Sequence, residues 1–129
     1  MEKFRKQLAE LRKLYLPVSK YAIFGSGPLA IRELRDSDDI DIVVKADLWN
    51  ELLRKYPLAN DHMIKIGSIE VYKQWLPWFN DVNRLIDSAD IIEGTRFVSL
   101  NNVITWKTAM ARSKDIKDLK LINDYINRG

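Results

Sequence analysis

The stretch FGSGPLAIRELRDSDDIDIVV, residues 24–44, decides the fold of this chain. It begins at the end of an apolar run, residues 21–24, and continues into a Gly-Ser-Gly-Pro segment, which is typical of a buried strand followed by a tight turn and a helix start. A second apolar run covers residues 40–44 and begins between Asp39 and Asp41. The stretch therefore predicts a strand, a glycine turn, a short helix and a second strand with an acidic start.

The two carboxylates of this second strand predict a metal site. Asp39 and Asp41 are two residues apart, so on a strand they point to the same face, about 6.5 to 7 Å from one another. Such a pair repels unless a cation bridges it, and carboxylate oxygens suit Mg²⁺, which usually adds waters and phosphate oxygens. Upstream, Gly25 permits a sharp turn and close backbone approach, and Ser26 offers a hydroxyl beside a helix start. We therefore expect a site for a magnesium-bound triphosphate.

This arrangement resembles the polymerase-β-like nucleotidyltransferase superfamily, whose motif is an apolar residue, Gly-Gly or Gly-Ser, a spacer, and then Asp-apolar-Asp-apolar. The resemblance implies an α+β nucleotidyltransferase fold, with a mixed, twisted sheet covered by helices on one face. It implies that Gly25 and Ser26 bind the triphosphate of a nucleotide, ATP being expected, and that Asp39 and Asp41 are catalytic ligands of Mg²⁺ or Mn²⁺. The implied reaction transfers a nucleoside monophosphate to an acceptor hydroxyl.

The family also uses a third carboxylate, carried by a neighbouring strand. Glu70 in SIEVY is the candidate, because Ser68, Glu70 and Tyr72 share one face of their strand. As a third metal ligand or base, Glu70 would orient or deprotonate the acceptor hydroxyl. The family usually has Asp here, and the alternative is a solvated charge on an edge strand.

Basic side chains near the glycine turn are candidates for phosphate contact. Arg32 is preferred over Arg35, although arginines on an exposed helix face are commonly plain surface residues. Ser37 and Asp38 are expected to shape the turn before the strand, because Ser and Asp readily bond the local backbone.

The C-terminal segment WKTAMARSKDIKDLKLI resembles a segment of bacterial and archaeal nucleotidyltransferase-like proteins that carries Lys, then Arg-x-Lys-Asp, then a further Asp. These positions are Lys107, Arg112, Lys114, Asp115 and Asp118. Lys107 and Lys114 are therefore further candidates for nucleotide binding. The alternative for Lys114 is a surface ion pair with Asp118, four residues along the helix.

Apolar periodicity predicts the remaining elements. They are an amphipathic helix with Phe4, Leu8, Leu11 and Tyr15 on its apolar face that ends at Pro17; a helix through Leu48, Leu52 and Tyr56; a type II′ hairpin of residues 62–66 and 69–73 around Gly67-Ser68; a short helix over residues 81–87; short strands at residues 91–92 and 97–99; and C-terminal helices over about residues 100–127 packed on the sheet. Trp75 and Trp78 are expected to form a satellite core, the alternatives being base stacking or a partner interface. His62, the only histidine, is given no catalytic role.

Composition bounds the class of protein. A chain of 129 residues with 47% apolar and 30% charged residues predicts one folded domain, residues 1–129. No cysteine is present, which excludes disulfides, thiolate metal sites and a cysteine nucleophile. The sequence contains no apolar run of membrane-spanning length, so we expect a cytoplasmic protein that does not engage a membrane. The rival to an enzyme is a nucleotide-binding or antitoxin-like subunit that acts with a helical partner protein, and a homo-oligomer is a further possibility.

Overall fold

The computed structural model describes residues 2–37, 39–75 and 79–128. Its elements, in chain order, are α1 (Glu2–Arg12), β1 (Tyr21–Phe24), α2 (Gly27–Ile31), β2 (Ile40–Val44), α3 (Ala46–Lys55), β3 (Leu58–Asn60), β4 (Met63–Ile66), β5 (Ile69–Tyr72), α4 (Val82–Asp87), β6 (Asp90–Ile92), β7 (Thr95–Phe97), α5 (Leu100–Met110) and α6 (Ser113–Arg128). The chain is α+β, as the sequence predicts.

The strands form one mixed sheet in the order β3-β4-β5-β2-β1-β7-β6. At its centre β1 and β2 are antiparallel, whereas the outer neighbours β5 and β7 run parallel to β2 and β1 respectively. Both edges end in antiparallel pairs, β3 with β4 and β6 with β7. The two strands of the diagnostic stretch are therefore the innermost pair of the sheet.

Helices cover both faces of the sheet, so the expectation of helices on one face is wrong. The central strands are apolar in consecutive positions, and alternate residues therefore enter two separate cores. Ile23 and Ile42 pack with α1 and α3 on one face. Phe24 and Val43 pack with α4, α5 and α6 on the other. Asp41 lies on this second face, since side chains alternate along β2.

Local patterns give most element boundaries correctly. The predicted strands at residues 21–24 and 40–44 are found unchanged, and the hairpin lies within one residue of its predicted bounds. Gly67 has a φ of 60°, as the first position of a type II′ turn requires. Asp81 caps α4 by accepting a hydrogen bond from the Arg84 N–H at 3.0 Å. Ala111, with a left-handed φ of 50°, separates α5 from α6.

Three local features differ from the predictions, one of them the last strand, which is predicted at residues 97–99 and is found as β7 at Thr95–Phe97. The first helix ends at Arg12, and Tyr15, expected on its apolar face, has a φ of 53° and is 89% exposed. The Tyr15 N–H donates to the Arg12 carbonyl, which closes the helix in a turn before Pro17 is reached. Strand β3 was not predicted, because its three residues are all exposed and carry no apolar alternation.

The C-terminal helices pack on the face that carries Asp41. Val103 and Trp106 of α5 and Ile122 of α6 belong to the core that contains Phe24 and Val43. This packing brings the polar start of α6 next to the glycine turn. Across the described residues, no helix is long and apolar enough to cross a membrane.

Candidate active site

A polar cleft of about 190 Å³ opens where β1, β2 and β5 meet the α5–α6 junction. Both acidic and basic side chains line it. The lining residues are Gly25, Ser26, Arg35, Asp39, Asp41, Glu70, Trp106, Lys107, Arg112 and Lys114. Every site residue expected from the sequence lies here except Arg32.

Strand register creates the acidic side of the cleft. Asp41 on β2 pairs directly with Glu70 on the parallel strand β5, and Phe24, just before the glycine turn, pairs with Asp41 from the other side. Asp39 lies immediately before β2 and also lines the cleft. Glu70 is therefore not on an edge strand, because β5 lies between β2 and β4.

The surroundings of Asp41 raise its pKa. Burial raises its pKa to about 7, and the charges of Glu70 and Asp39 and a hydrogen bond to Glu70 act in the same direction, while Lys65 opposes them. This is the response expected when carboxylates share a poorly solvated site without a compensating cation. A bound cation would favour the ionised carboxylate and release the proton.

Glu70 is held by two further neighbours. Its Oε1 accepts a hydrogen bond from the Tyr72 hydroxyl at 2.9 Å, and its Oε2 lies 3.6 Å from the Lys65 ammonium. Burial, together with the bond to Glu70 and the nearby carboxylates, raises the pKa of Tyr72. The Tyr72 hydroxyl therefore stays protonated and keeps donating to Glu70.

Gly25 allows the turn to press directly against Asp41. Its φ is +65°, a left-handed conformation that side chains disfavour, and a Cβ there would lie 2.5 Å from Asp41 Oδ2. The glycine thus sets the close approach between the turn and the acidic residue. The sequence predicts a sharp turn with close backbone approach at Gly25. In the structure, the group that the backbone approaches is the Asp41 carboxylate.

Serine hydroxyls join the turn to the start of β2. Ser26 Oγ lies 2.8 Å from Ser37 Oγ, and the Ser37 hydroxyl donates to the Asp39 carbonyl oxygen at 2.9 Å. Ser37 is 1% exposed, so it shapes the turn as expected, from within the protein. Asp38, assigned the same role from the sequence, lies outside the described residues. Helix α2 has only five residues, so its N-terminus adds little to anion binding.

Lys107 forms the buried centre of the basic side. Its ammonium donates a hydrogen bond to the Asp118 carboxylate at 2.9 Å and lies 3.5 Å from the Asp115 carboxylate, and all three side chains are at most 3% exposed. The predicted Lys114–Asp118 pair is not among the ion pairs of the described residues, because Asp118 faces inward to Lys107. Lys114 lies at the exposed mouth of the cleft.

Two arginines complete the basic side. Arg35 donates to both oxygens of Asp118, at 2.6 and 2.9 Å, and Arg112 donates to both oxygens of Asp115, at 2.6 and 3.0 Å. Burial by itself would raise the pKa of Asp118, but the hydrogen bonds from Arg35 and Lys107 lower it. Three cations thus share two carboxylates, so the group keeps one excess positive charge toward the cleft.

The arginine predicted for phosphate contact is not in the cleft. Arg32 donates to the Pro28 carbonyl at 2.8 Å and to Asp90 of β6 at 3.0 Å, which holds it toward the sheet edge. Arg35 lines the cleft instead, although the sequence favoured Arg32. Arg35 is held at the cleft by Asp118 of α6, and the local sequence around residue 32 does not show where α6 places Asp118.

An aromatic cluster adjoins the cleft. The Trp75 ring stacks on Phe24 at 4.6 Å and meets Trp106 edge-on at 5.4 Å. Tyr72 packs against Trp75, with ring centroids 4.9 Å apart. The core interpretation of Trp75 is thus confirmed, whereas Trp78 lies outside the described residues. Trp106 of α5, for which the sequence indicates no site role, also lines the cleft.

The acidic donor set fits Mg²⁺ or Mn²⁺ in chemistry. Among the described residues, no three carboxylates, imidazoles or thiolates are already arranged as one metal-binding group. The hard oxygens of Asp39 and Asp41 nevertheless line one cleft, where burial and the neighbouring carboxylates raise the pKa of Asp41. Asp39 and Asp41 are therefore the residues able to hold the ion, and Glu70 is available beside them.

Known proteins provide no independent assignment for this arrangement: no family model, curated protein or solved structure matches the chain.

Proposed function

We propose that this chain is a metal-dependent nucleotidyltransferase with a nucleotidyltransferase fold, which transfers a nucleoside monophosphate from a nucleoside triphosphate to an acceptor hydroxyl. The observation that carries the proposal is the charge-divided cleft. Asp39, Asp41 and Glu70 line it together with Lys107, Arg35 and Arg112. A metal-bound triphosphate needs both signs of charge within a few ångströms, because the metal takes carboxylates and the remaining phosphate oxygens take cations.

Each side chain has a task consistent with its surroundings. Asp39 and Asp41 would hold Mg²⁺ or Mn²⁺, which supplies charge neutralisation at the triphosphate and alignment of the attacking hydroxyl. Lys114, exposed at the mouth, and the excess charge of the Lys107 group would bind phosphate oxygens. Glu70 would accept the proton of the acceptor hydroxyl while Tyr72 keeps its carboxylate in place.

The reaction then follows from positioning. The acceptor oxygen attacks the α-phosphorus, the bond from that phosphorus to the bridging oxygen breaks, and pyrophosphate leaves. The acceptor proton moves to Glu70. The cleft side chains contribute mainly by orienting the triphosphate and by stabilising charge in a partly water-excluded space.

Transfer of label tests the proposal directly. The protein is incubated with each α-labelled nucleoside triphosphate, Mg²⁺ and host lysate, and macromolecular and small-molecule products are separated. We expect one class of labelled product, ATP being the expected donor, and its loss in Asp39→Asn. If the protein binds Mg-ATP but gives no labelled product with any nucleotide, it is a nucleotide-binding protein and not an enzyme.

A nucleotide-binding subunit that acts with a helical protein partner is the second candidate. It is favoured by the last turns of α6, where the adjacent apolar residues Tyr125 and Ile126 are 37% and 48% exposed. Exposed apolar side chains grouped on one helix are typical of partner surfaces. This candidate predicts nucleotide binding without labelled product by the isolated chain, and co-purification with a second protein.

A further inference from the structure

The hydroxyl of Ser37 occupies an unusual position for a polar side chain. It is 1% exposed, and it lies between Ser26 in the glycine turn and the backbone of Asp39. Its two contacts, at 2.8 Å to Ser26 Oγ and 2.9 Å to the Asp39 carbonyl oxygen, are both of hydrogen-bond length. Neither the metal nor the phosphate chemistry described above uses Ser37.

Counting protons fixes the direction of both hydrogen bonds. A hydroxyl has one proton to donate, and a carbonyl oxygen only accepts. The Ser37 proton therefore goes to the Asp39 carbonyl, and the contact with Ser26 is a hydrogen bond only if Ser26 donates to Ser37. The opposite order would leave two oxygen atoms facing one another without a proton at Asp39.

We propose that Ser37 is a positioning residue that accepts a hydrogen bond from the Ser26 hydroxyl, so that the Ser26 oxygen acts as an acceptor toward the bound cation or a cation-bound water. This inference rests on the proposed function. Ser26 lines the cleft, and its remaining lone pairs are the part of its hydroxyl that a ligand meets. Ser26 then does not donate to a phosphate oxygen, which is the role that a serine in a glycine turn first suggests.

Burial makes this proton order persistent. Water has little access to Ser37, so turning the Ser26 proton toward a phosphate would leave the buried Ser37 oxygen without its donor. The same two bonds connect the glycine turn to the first acidic residue. Ser37 thus sets both the spacing and the polarity of the Ser26 side of the cleft.

Calorimetric binding of a non-hydrolysable ATP analogue, in Mg²⁺ and in chelator, tests the inference. Ser26→Ala and Ser37→Ala are expected to weaken binding in Mg²⁺ by about tenfold, a charge-assisted hydrogen bond or metal contact being lost. In chelator Ser26→Ala should bind like wild type, and Ser37→Ala should bind equally well or better, since the Ser26 proton is freed. Thr95→Val is the matched control, because Thr95 is a buried hydroxyl, 2% exposed and 3.2 Å from Arg12, outside the cleft. It should leave both affinities unchanged.

Several outcomes overturn the inference. Equal weakening by Ser26→Ala with and without Mg²⁺ would make Ser26 a phosphate donor, and a Ser37→Ala protein that binds like the Thr95→Val control would remove the positioning role. If Ser37→Ala does not fold, Ser26→Ala decides alone, because it leaves the Ser37 bond to Asp39 intact. Failure of wild type to bind the analogue in Mg²⁺ would instead overturn the proposed function, and the cation role of Ser26 with it.

Discussion

Asp41 and Glu70 are direct neighbours in the parallel pairing of β2 and β5, and burial together with the neighbouring carboxylates raises the pKa of Asp41 to about 7. A cation bound at Asp41 would ionise it and leave Glu70 as the acceptor for a further proton. The register of two strands thus links metal binding to the availability of a base.

Glu70→Gln tests the base role. Glutamine preserves the shape of the side chain and still accepts a hydrogen bond from Tyr72, but it does not take up a proton. We expect nucleotide transfer to fall by about a hundredfold or more, with nearly unchanged binding of Mg-ATP. Transfer assays and calorimetry measure the two effects separately. The control is Glu10→Gln. Glu10 is an exposed glutamate of α1 that accepts a hydrogen bond from Ser68, in the turn between β4 and β5. Normal transfer by Glu70→Gln would contradict the assignment.

Gly25→Ala should damage the site as well as the fold. Both Gly25 and Gly94 have positive φ angles, of 65° and 78°, so alanine at either position costs about 1 kcal/mol of folding free energy. A Cβ at Gly25 would also meet Asp41 Oδ2 at 2.5 Å, whereas none of the described atoms lies within 4 Å of a Cβ at Gly94. Gly94→Ala should therefore melt lower but transfer normally, while Gly25→Ala loses transfer. Equal activity of the two variants would show that the approach of the turn to Asp41 has no functional weight.

The buried Lys107 and the exposed Lys114 should respond differently to substitution. Lys107→Met leaves the buried Asp115 and Asp118 short of one positive charge, and we expect a loss of about 3 kcal/mol in unfolding free energy, moderated by the two arginines. Lys114→Met removes an exposed lysine and should leave stability within about 0.5 kcal/mol while weakening Mg-ATP binding. Chemical denaturation and calorimetry distinguish the two. A large stability loss in Lys114→Met would contradict its exposed placement.

Arg35 and Arg32 allow a second matched comparison, between an arginine that lines the cleft and one outside it. Arg35→Gln should weaken Mg-ATP binding, because Arg35 lines the cleft and its pairing with Asp118 holds α6 against the turn. Arg32→Gln should leave binding unchanged, since Arg32 is paired with Asp90 at the sheet edge. Calorimetry on both variants is sufficient, and the reverse order of affinities would contradict the placement of Arg35 at the site.

The predictable part of the molecule is the part set by short-range patterns. The strands that carry Phe24 and Asp41 follow from apolar runs, and the shared face of Asp39 and Asp41 follows from strand alternation. Alternation also gives the side of β5 on which Glu70 lies. Its pairing with Asp41 needs the strand register, which depends on packing of both sheet faces.

Long-range packing accounts for what sequence reasoning missed. Lys107 is buried because α6 returns two aspartates to it, and Arg35 enters the cleft because one of these aspartates reaches across from a position 83 residues later in the chain. Neither relation has a local pattern. Helices on both faces were also missed, although the continuous apolar run in β2 is the expected composition of a strand buried on both sides.

Apo stability should depend on pH through Asp41. Its folded-state pKa of about 7 lies above the ordinary value of 3.8, so the folded protein binds this proton more tightly than the unfolded chain does. The resulting stabilisation is fully present below about pH 4 and is lost as the pH rises through about 7. We expect wild type in chelator to lose about 1 to 3 kcal/mol over this range, after allowance for partial exposure of the group.

Asp41→Asn removes this titration and should reverse its stability ranking when nucleotide is added. In chelator at pH 8 the variant should melt higher than wild type, because asparagine carries no charge toward Glu70 and Asp39, and at pH 5 the two proteins should differ little. In saturating Mg-ATP wild type should melt higher, since ligand binding stabilises only a protein that binds it well. Thermal unfolding of both proteins at the two pH values, with and without ligand, gives the complete comparison. A variant that melts below wild type in chelator at pH 8, together with no gain by wild type from Mg-ATP, would make Asp41 a structural residue, and the metal site proposed at the centre of the cleft would be wrong.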